Sequence, residues 1–151
     1  MTRVLALVAV LAALAAAMPA RAQEQVEITA DRFVIEENAN LATFSGNVVI
    51  VQGTLTVHAD TVIVHYGSGG AADIENLDAI GSLVIDTPTQ HVTGNEGSYD
   101  PETRVMIVTG DVVSESESGR VTGKRMRVDF EANTTEFETE QGGRVTGVFN
   151  P

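Results

Sequence analysis

The chain has 151 residues, no cysteine, and 21 acidic against 9 basic residues, for a net charge of −12. A polyanion of this balance is a poor partner for DNA or RNA, whose binding rests on Lys and Arg neutralising phosphates. Without cysteine, neither a disulfide framework nor a thiolate metal site is open to it.

The first 22 residues read as a cleavable export signal. Thr2 and Arg3 form a short basic start, Val4 to Ala17 is an unbroken apolar run, and Ala20-Arg21-Ala22 supplies an A-x-A site. A membrane anchor would need about 20 apolar residues, and Pro19 and Arg21 interrupt this run. Cleavage is expected after Ala22, leaving residues 23–151 as a single domain with seven bases against 21 acids, a net charge of −14. That part holds 18 Val, 15 Thr and all 14 Gly but only 4 Leu, a mixture that favours strands and turns over helices.

Four stretches then line up, beginning at Ile28, Val57, Val92 and Val121 with spacings of 29, 35 and 29 residues. Each is followed by a glycine with an apolar residue two positions on: Gly46 with Val48, Gly81 with Leu83, Gly110 with Val112, and Gly143 with Val145. A period near 30 with this internal pattern predicts one supersecondary unit repeated about four times. The longer second unit carries Gly67-Ser68-Gly69-Gly70, a predicted loop.

Within a unit the alternation slips. Val57 and Ala59 share one face, Val62, Val64 and Tyr66 share one, and the parity changes between them. A period-2 pattern that slips by one residue needs a bulge or corner if both halves are to face inward. The slip recurs at Ala30-Asp31 and at Gly123-Lys124. In the third unit Gly97 stands where the others have an apolar residue, so that unit departs in part. A sheet folded across its own strands is predicted. Turns are predicted at Tyr66-Gly67, Asn95-Glu96-Gly97, Asp100-Pro101-Glu102, Glu117-Ser118-Gly119, Ala132-Asn133-Thr134 and Gln141-Gly142-Gly143, a spacing that suits an all-β sandwich or barrel.

The predicted inner face collects Ile28, Phe33 and Ile35 from the first unit, then Val48, Ile50, Leu55, Val57, Val62 and Val64. Leu83, Ile85, Val92 and Tyr99 follow, then Val112, Val121, Met126 and Val128. Composition and alternation alone favour a closed sandwich core for this stripe.

No catalytic constellation emerges. His58 and His65 alternate with inward residues and are expected to face solvent, and the three histidines, with His91, lack the helical spacing of a metalloprotease. The glycine-rich stretches lack the Ser context of a nucleophile elbow and the Lys of a P-loop. No metal, nucleotide or other cofactor is expected. Asn133-Thr134-Thr135 is read as an ordinary turn. The basic cluster Arg120, Lys124, Arg125 and Arg127 could meet phosphate groups, but Arg125 and Arg127 alternate with Met126 and Val128, which favours a solvated outer face. The acid-rich runs Asp111 to Glu117 and Glu131 to Glu140 read the same way. Two rival classes remain: a structural β-solenoid that polymerises or binds a surface polymer, for which a period near 30 is equally suitable, and a secreted carbohydrate-active enzyme, for which no convergent carboxylate pair is placed.

Phe44-Ser45-Gly46-Asn47-Val48-Val49-Ile50-Val51-Gln52-Gly53, followed by Val57-His58-Ala59-Asp60, closely resembles the core motif of the LptA/OstA family, the periplasmic lipopolysaccharide transport proteins. Ile28-Thr29-Ala30-Asp31, Val108-Thr109-Gly110 and Gly143-Arg144-Val145-Thr146 fall where that family has similar residues, so the resemblance covers about residues 26 to 149. It implies an all-β fold, a twisted open β-jellyroll of repeated antiparallel strand units (OstA-like), in the periplasm of a Gram-negative bacterium. It also implies that the inner face binds the acyl chains of lipid A, reversing the closed-core preference. Protomers and LptC-like and LptD-like jellyroll partners would join end to end as a head-to-tail assembly. The edges would be Val26 and Ile28 at the N-terminus and Val145, Val148 and Phe149 within Arg144 to Phe149 at the C-terminus. An LptC-like member would keep an N-terminal anchor, and the cleavable signal argues against that here.

Overall fold

The computed structural model describes residues 25–70, 73–139 and 143–150. The expected signal and the Gln141-Gly142 part of one predicted turn lie outside them. The strands are β1 (Val26–Thr29), β2 (Arg32–Glu36), β3 (Leu41–Gln52), β4 (Leu55–Tyr66), β5 (Ile74–Asp86), β6 (Gln90–Asp100), β7 (Val105–Ser116), β8 (Gly119–Asp129), β9 (Thr134–Glu138) and β10 (Thr146–Phe149). A 3-10 turn, Glu37–Ala39, precedes left-handed Asn40 and joins β2 to β3.

All ten strands belong to one antiparallel sheet in which β3 to β8 meander in sequence order. The two margins are each made of two short pieces. Val26–Thr29 of β1 pairs with 49–52 of β3, and β2 pairs with 41–45 of the same strand. At the far side β10 pairs with 119–122 of β8, and β9 with 125–129. The sheet is therefore open, its first strand unpaired to its last. This meander removes the β-solenoid alternative, whose coils stack strands in parallel; the repeat at 28, 57, 92 and 121 instead marks every second strand of an antiparallel array.

Each long strand is folded at one row. Between β3 and β4 the register jumps from Ser45 to Val48; the jump recurs at His58/Thr61, Ile80/Leu83, Thr93/Glu96 and Thr109/Val112. In β3, β5 and β7 the jump is made by two consecutive residues with positive φ: Gly46-Asn47, Gly81-Ser82 and Gly110-Asp111. The expected corners at Ala30-Asp31, Ala59-Asp60 and Gly123-Lys124 lie directly opposite, on β1–β2, β4 and β8. Glycine is required here for two reasons. The backbone is left-handed, and the Asp31 or Asn95 side chain of the neighbouring strand occupies the space of a Cβ, 2.6 Å and 2.5 Å away at Gly46 and Gly110. Asp31 N–H also donates to Gly46 O at 2.9 Å, and Asn47 Nδ2 donates to Asp31 Oδ2 at 3.0 Å.

Asn95-Glu96-Gly97 is a correction. These residues are not a turn but the middle of β6, where that strand bends opposite Gly110-Asp111. The third unit thus folds like the others. Gly97 faces inward, and a Cβ there would meet Leu83 Cδ2 at 2.8 Å; Gly94, likewise, makes room for Val108 Cγ1 at 2.6 Å. The glycines let side chains from the two half-sheets reach across the fold.

The core lies on this row and beside it. Val48, Val62, Val108, Val112 and Met126 are at most 1% exposed, and Ala59, Val64, Leu83, Ile85 and Val92 are also buried. Two substitutions isolate the bend. Gly70 also has positive φ (+76°), but nothing lies within 4 Å of its would-be Cβ. Gly70→Ala should therefore lose only the left-handed strain of about 1–2 kcal/mol. Gly110→Ala should lose that plus about 1–3 kcal/mol of overpacking against Asn95. Urea melts should show Gly110→Ala well below Gly70→Ala, and equal midpoints would refute the bulge geometry.

The register itself is tested at the next strand. Ala59 is buried at the corner and His58 is exposed. Ala59→Leu should destabilise by about 1–3 kcal/mol, and His58→Leu should stay within about 0.5 kcal/mol. The reverse order in urea would place the corner one residue away.

Candidate functional site

Alternation from the bend outward places one apolar face inside both half-sheets. On one half, cross-strand pairs link Ile28 to Ile50, Ile50 to Val57, Val57 to Ile85 and Ile85 to Val92. Val121 pairs with Ser114, which pairs with Val92. On the other half, Phe33 pairs with Phe44 and Phe44 with Val62, while Ile35 leads through Ala42, Val64 and Leu77 to Tyr99. Tyr99 continues through Met106 to Val128. Val48, Leu83, Val112 and Met126 sit nearest the bend. Leu55 shares its strand face with Val57 and packs at the margin of the core.

The inner face changes character from centre to margin. Of the sequence-predicted residues, Val48, Val62, Val64, Leu83, Ile85, Val92, Val112 and Met126 are buried. Ile28, Ile50, Leu55, Val57, Tyr99, Val121 and Val128 are half-buried. Phe33 and Ile35, on the marginal strand β2, are 51% and 54% exposed. Phe33 nonetheless stacks on Phe44 with ring centroids 4.5 Å apart. At the lip, just after β8, Phe130 is exposed and meets Tyr99 edge-on at 6.1 Å, and at the far margin Val148 and Phe149 of β10 are exposed. The centre is thus packed shut, and apolar surface emerges at both margins.

Several inner residues escaped the sequence reading: Ala42, Phe44, Leu77, Ala79, Met106, Val108 and Phe137 all pack on or in the same core. Except for Phe137 they lie on β3, β5 and β7, between the four repeats. Their alternation with polar neighbours, as in Leu77-Asp78-Ala79, was the signal available.

The outer face carries the charged pairs, among apolar residues such as Val51 and Ile80. Arg125 Nη1 donates to Glu138 Oε2 at 2.7 Å, Lys124 meets Asp111, and Arg120 and Arg127 lie 3.6 Å and 3.8 Å from Glu115 and Asp129. All four bases are on β8 and point away from the inner face, each beside an acid. Such exposed pairs are worth about 0–1 kcal/mol each. His65 bonds Asp78 at 2.9 Å, His91 meets Asp86, and His58 is exposed. A shallow depression of about 370 Å³ lies on this outer corner, between Gly110, Asp111, Lys124 and Glu138, and not between the half-sheets. Among the described residues no group of three or more His, Asp or Glu is placed to hold a metal ion.

The margins complete the site. Val26 is 50% exposed and Ile28 half-buried on β1, which pairs on one side only. Val145, Val148 and Phe149 are 40%, 60% and 67% exposed, and Asn150 N–H extends β10 by donating to Ser118 O at 3.0 Å. The expected C-terminal edge, Arg144 to Phe149, is only half of that margin. The strand proper begins at Thr146, and β9 supplies the other half, with Glu136 and Glu138 on it. Sequence alone did not show that two separate segments share β8.

Comparison with known proteins agrees with this architecture. The chain is 28% identical over 149 residues to the lipopolysaccharide export system protein LptA of Escherichia coli (strain K12), covering 91% of this chain and 80% of that protein. It is 29% identical over 154 residues to an uncharacterized protein of Rhizobium meliloti (strain 1021), covering 93% of this chain and 82% of that one. The crystal structure of LptH, the LptA-homologous periplasmic component of the lipopolysaccharide transport device of Pseudomonas aeruginosa, superposes with a TM-score of 0.73. That match is at 16% identity and covers 88% of this chain and all of the other, so it speaks to the fold. The family described as LptA/(LptD N-terminal domain) LPS transport protein matches residues 27–134. With that span, the motif around Gly46 and the open folded sheet in agreement, this chain belongs to the LptA/LptD N-terminal family of lipopolysaccharide transport proteins.

Proposed function

We propose that this protein is a periplasmic carrier that binds lipopolysaccharide by its acyl chains and hands it along a bridge of jellyrolls toward the outer membrane. Residues 1–22 act as the cleaved export signal, and residues 23–151 as the carrier domain. Its role is binding and assembly rather than catalysis. The observation that carries this reading is the apolar inner face shared by β1 and β3 to β9 of an open sheet, in a chain of the lipopolysaccharide transport family.

The energetics favour such a surface. Each CH2 moved from hydrocarbon to water costs about 0.8 kcal/mol, so a 12-carbon chain would cost about 10 kcal/mol. Hydrogen bonds at about 1 kcal/mol each cannot offset that. A continuous apolar wall can, and Val, Ile and Leu offer one without a deep well that would trap the cargo. Because the centre is packed, an acyl chain enters by parting the half-sheets from the margins, where Phe33, Ile35 and Phe130 already emerge. The bend at Gly46, Gly81 and Gly110 leaves strand pairing on each half intact while they part.

The two margins serve assembly. Each presents unpaired backbone, and an unblocked edge recruits a strand from another chain. The edge at Val26 and Ile28 receives the edge at Val145, Val148 and Phe149 of a second copy, and LptC-like and LptD-like jellyrolls dock at the two ends in the same way.

A photo-crosslinker at Val57, Val64 or Tyr99 should label lipopolysaccharide in cells, and one at His58 or His65 should not. Equal labelling of both sets would sink the inner-face assignment. Deleting Val145 to Pro151 should abolish concentration-dependent oligomers in sedimentation runs while labelling at Val57 persists. Unchanged oligomers would locate the contact elsewhere.

A further inference from the structure

One position breaks the apolar inner wall. Ser114 on β7 is 5% exposed and is the buried polar side chain among the described residues. It sits in register between Val92 and Val121. Its Oγ accepts a hydrogen bond from Gln90 Nε2 at 2.6 Å. Gln90 is exposed, opens β6, and shares the inner face with Val92 two residues on. Ser116, exposed and two residues beyond Ser114, continues the same face to the lip, and its hydroxyl lies 2.9 Å from that of Ser118.

This lip is polar but uncharged on its inner side. The charged residues nearby, Asp86, His91, Glu115 and Arg120, fall one step out of phase and form a cross-strand row on the outer face. The lip of the other half-sheet is different, with inner positions Tyr66 and Tyr99 and with Phe130 edge-on to Tyr99. The two walls of the groove therefore end differently: the first in Gln90 and Ser116, with Phe149 beyond them in the same row through Gly119, and the second in Tyr66, Tyr99 and Phe130.

A hydroxyl in an apolar wall is unfavourable unless it is paired. The Gln90 bond meets that need with one lone pair of Ser114. It leaves the Ser114 hydroxyl hydrogen and the second Gln90 amide hydrogen as donors. Two neutral donors at the edge of a hydrocarbon wall match an acceptor that is itself joined to hydrocarbon. An acyl carbonyl has that form; a phosphate would call for cations, and the bases of β8 face outward.

We infer that Ser114 and Gln90 bind the ester or amide carbonyl at which an acyl chain joins its headgroup. The chain then lies along Val92, Ile85 and Val57, and the headgroup leaves the groove past Gln90 and Ser116. This assignment rests on the carrier function proposed above and adds which wall reads the carbonyl.

The test uses the full mature chain and two nonionic amphiphiles of equal chain length, an N-acyl glucamide with a carbonyl and an alkyl glucoside without one. Binding of each is measured by equilibrium dialysis. Wild type should hold the glucamide about thirtyfold more tightly, the ratio given by two hydrogen bonds of about 1 kcal/mol each. Ser114→Ala and Gln90→Ala should each lower the ratio to about fivefold or less, with alkyl glucoside binding as the reference. Gln90 is exposed, so its variant keeps the test open if Ser114→Ala misfolds, and thermal midpoints check both. A wild-type ratio near one, a preference undiminished in both variants, or binding of neither amphiphile would overturn the inference. Loss of lipopolysaccharide labelling at Val57 in the wild-type protein would instead refute the carrier function, a separate measurement.

Discussion

The fold depends on one geometric constraint, that six long antiparallel strands must all bend at the same row. A strand of 11 to 13 residues shows its apolar side chains to one side of the sheet only. That face can be covered only by another element or by the other half of the same sheet. This protein takes the second course, and the bend must then be in register across every strand or the ladder would tear. Two devices alternate to achieve it. In β3, β5 and β7 a left-handed pair, Gly46-Asn47, Gly81-Ser82 or Gly110-Asp111, adds one residue. In β4, β6 and β8 the chain drops one step of parity opposite. Asp31, Asp60 and Asn95 fill the space that the glycines leave, so the outer corner is polar where the inner corner is closed by valines.

That alternation also decides what could be read from the sequence. In β4 and β8 the slip is visible, because inward residues three apart, Ala59 with Val62 or Gly123 with Met126, break the period of two. In the bulged strands inward residues fall four apart, Phe44 to Val48 and Val108 to Val112, so the period looks uninterrupted and only the glycine hints at the bend. β6 shows the opposite failure. Asn95-Glu96-Gly97 has the composition of a turn, yet it lies inside a strand because its neighbours on both sides hold it there. Local propensity yields to pairing when a glycine must make room, as Gly97 does for Leu83. The division of each margin into two pieces was equally hidden. Pairing partners more than ten residues apart leave no local mark, and residues 139–145 give no sign of returning to β8.

The same architecture combines tight packing at the bend with an apolar face that emerges at the margins. At the bend, valines are at or near zero exposure, as in a globular core. Away from the bend the inner residues become half-buried and then exposed, because nothing beyond β2 or β9 covers them. Opening can therefore proceed from the margins while the corner stays closed. Motion about a bulge row needs no ladder bond to break, since bulges already lack regular pairing.

The distribution of charge follows from the distribution of apolar surface. With seven bases against 21 acids after residue 22, random placement would leave most acids unpaired and some bases facing the groove. Instead four of the seven bases lie on β8, on its outer face, each against an acid. These pairs are too exposed to contribute much stability. Their effect is on which surface stays neutral. A cation on the inner wall would be desolvated when the half-sheets close, at a cost of several kcal/mol for an unpaired charge. It would also hold an anionic headgroup in place, which opposes onward transfer. In the carrier role proposed above, an inner wall free of charge, with its polarity reduced to Ser114 and the lip beside it, would let hydrocarbon slide along the wall while the headgroup stays outside.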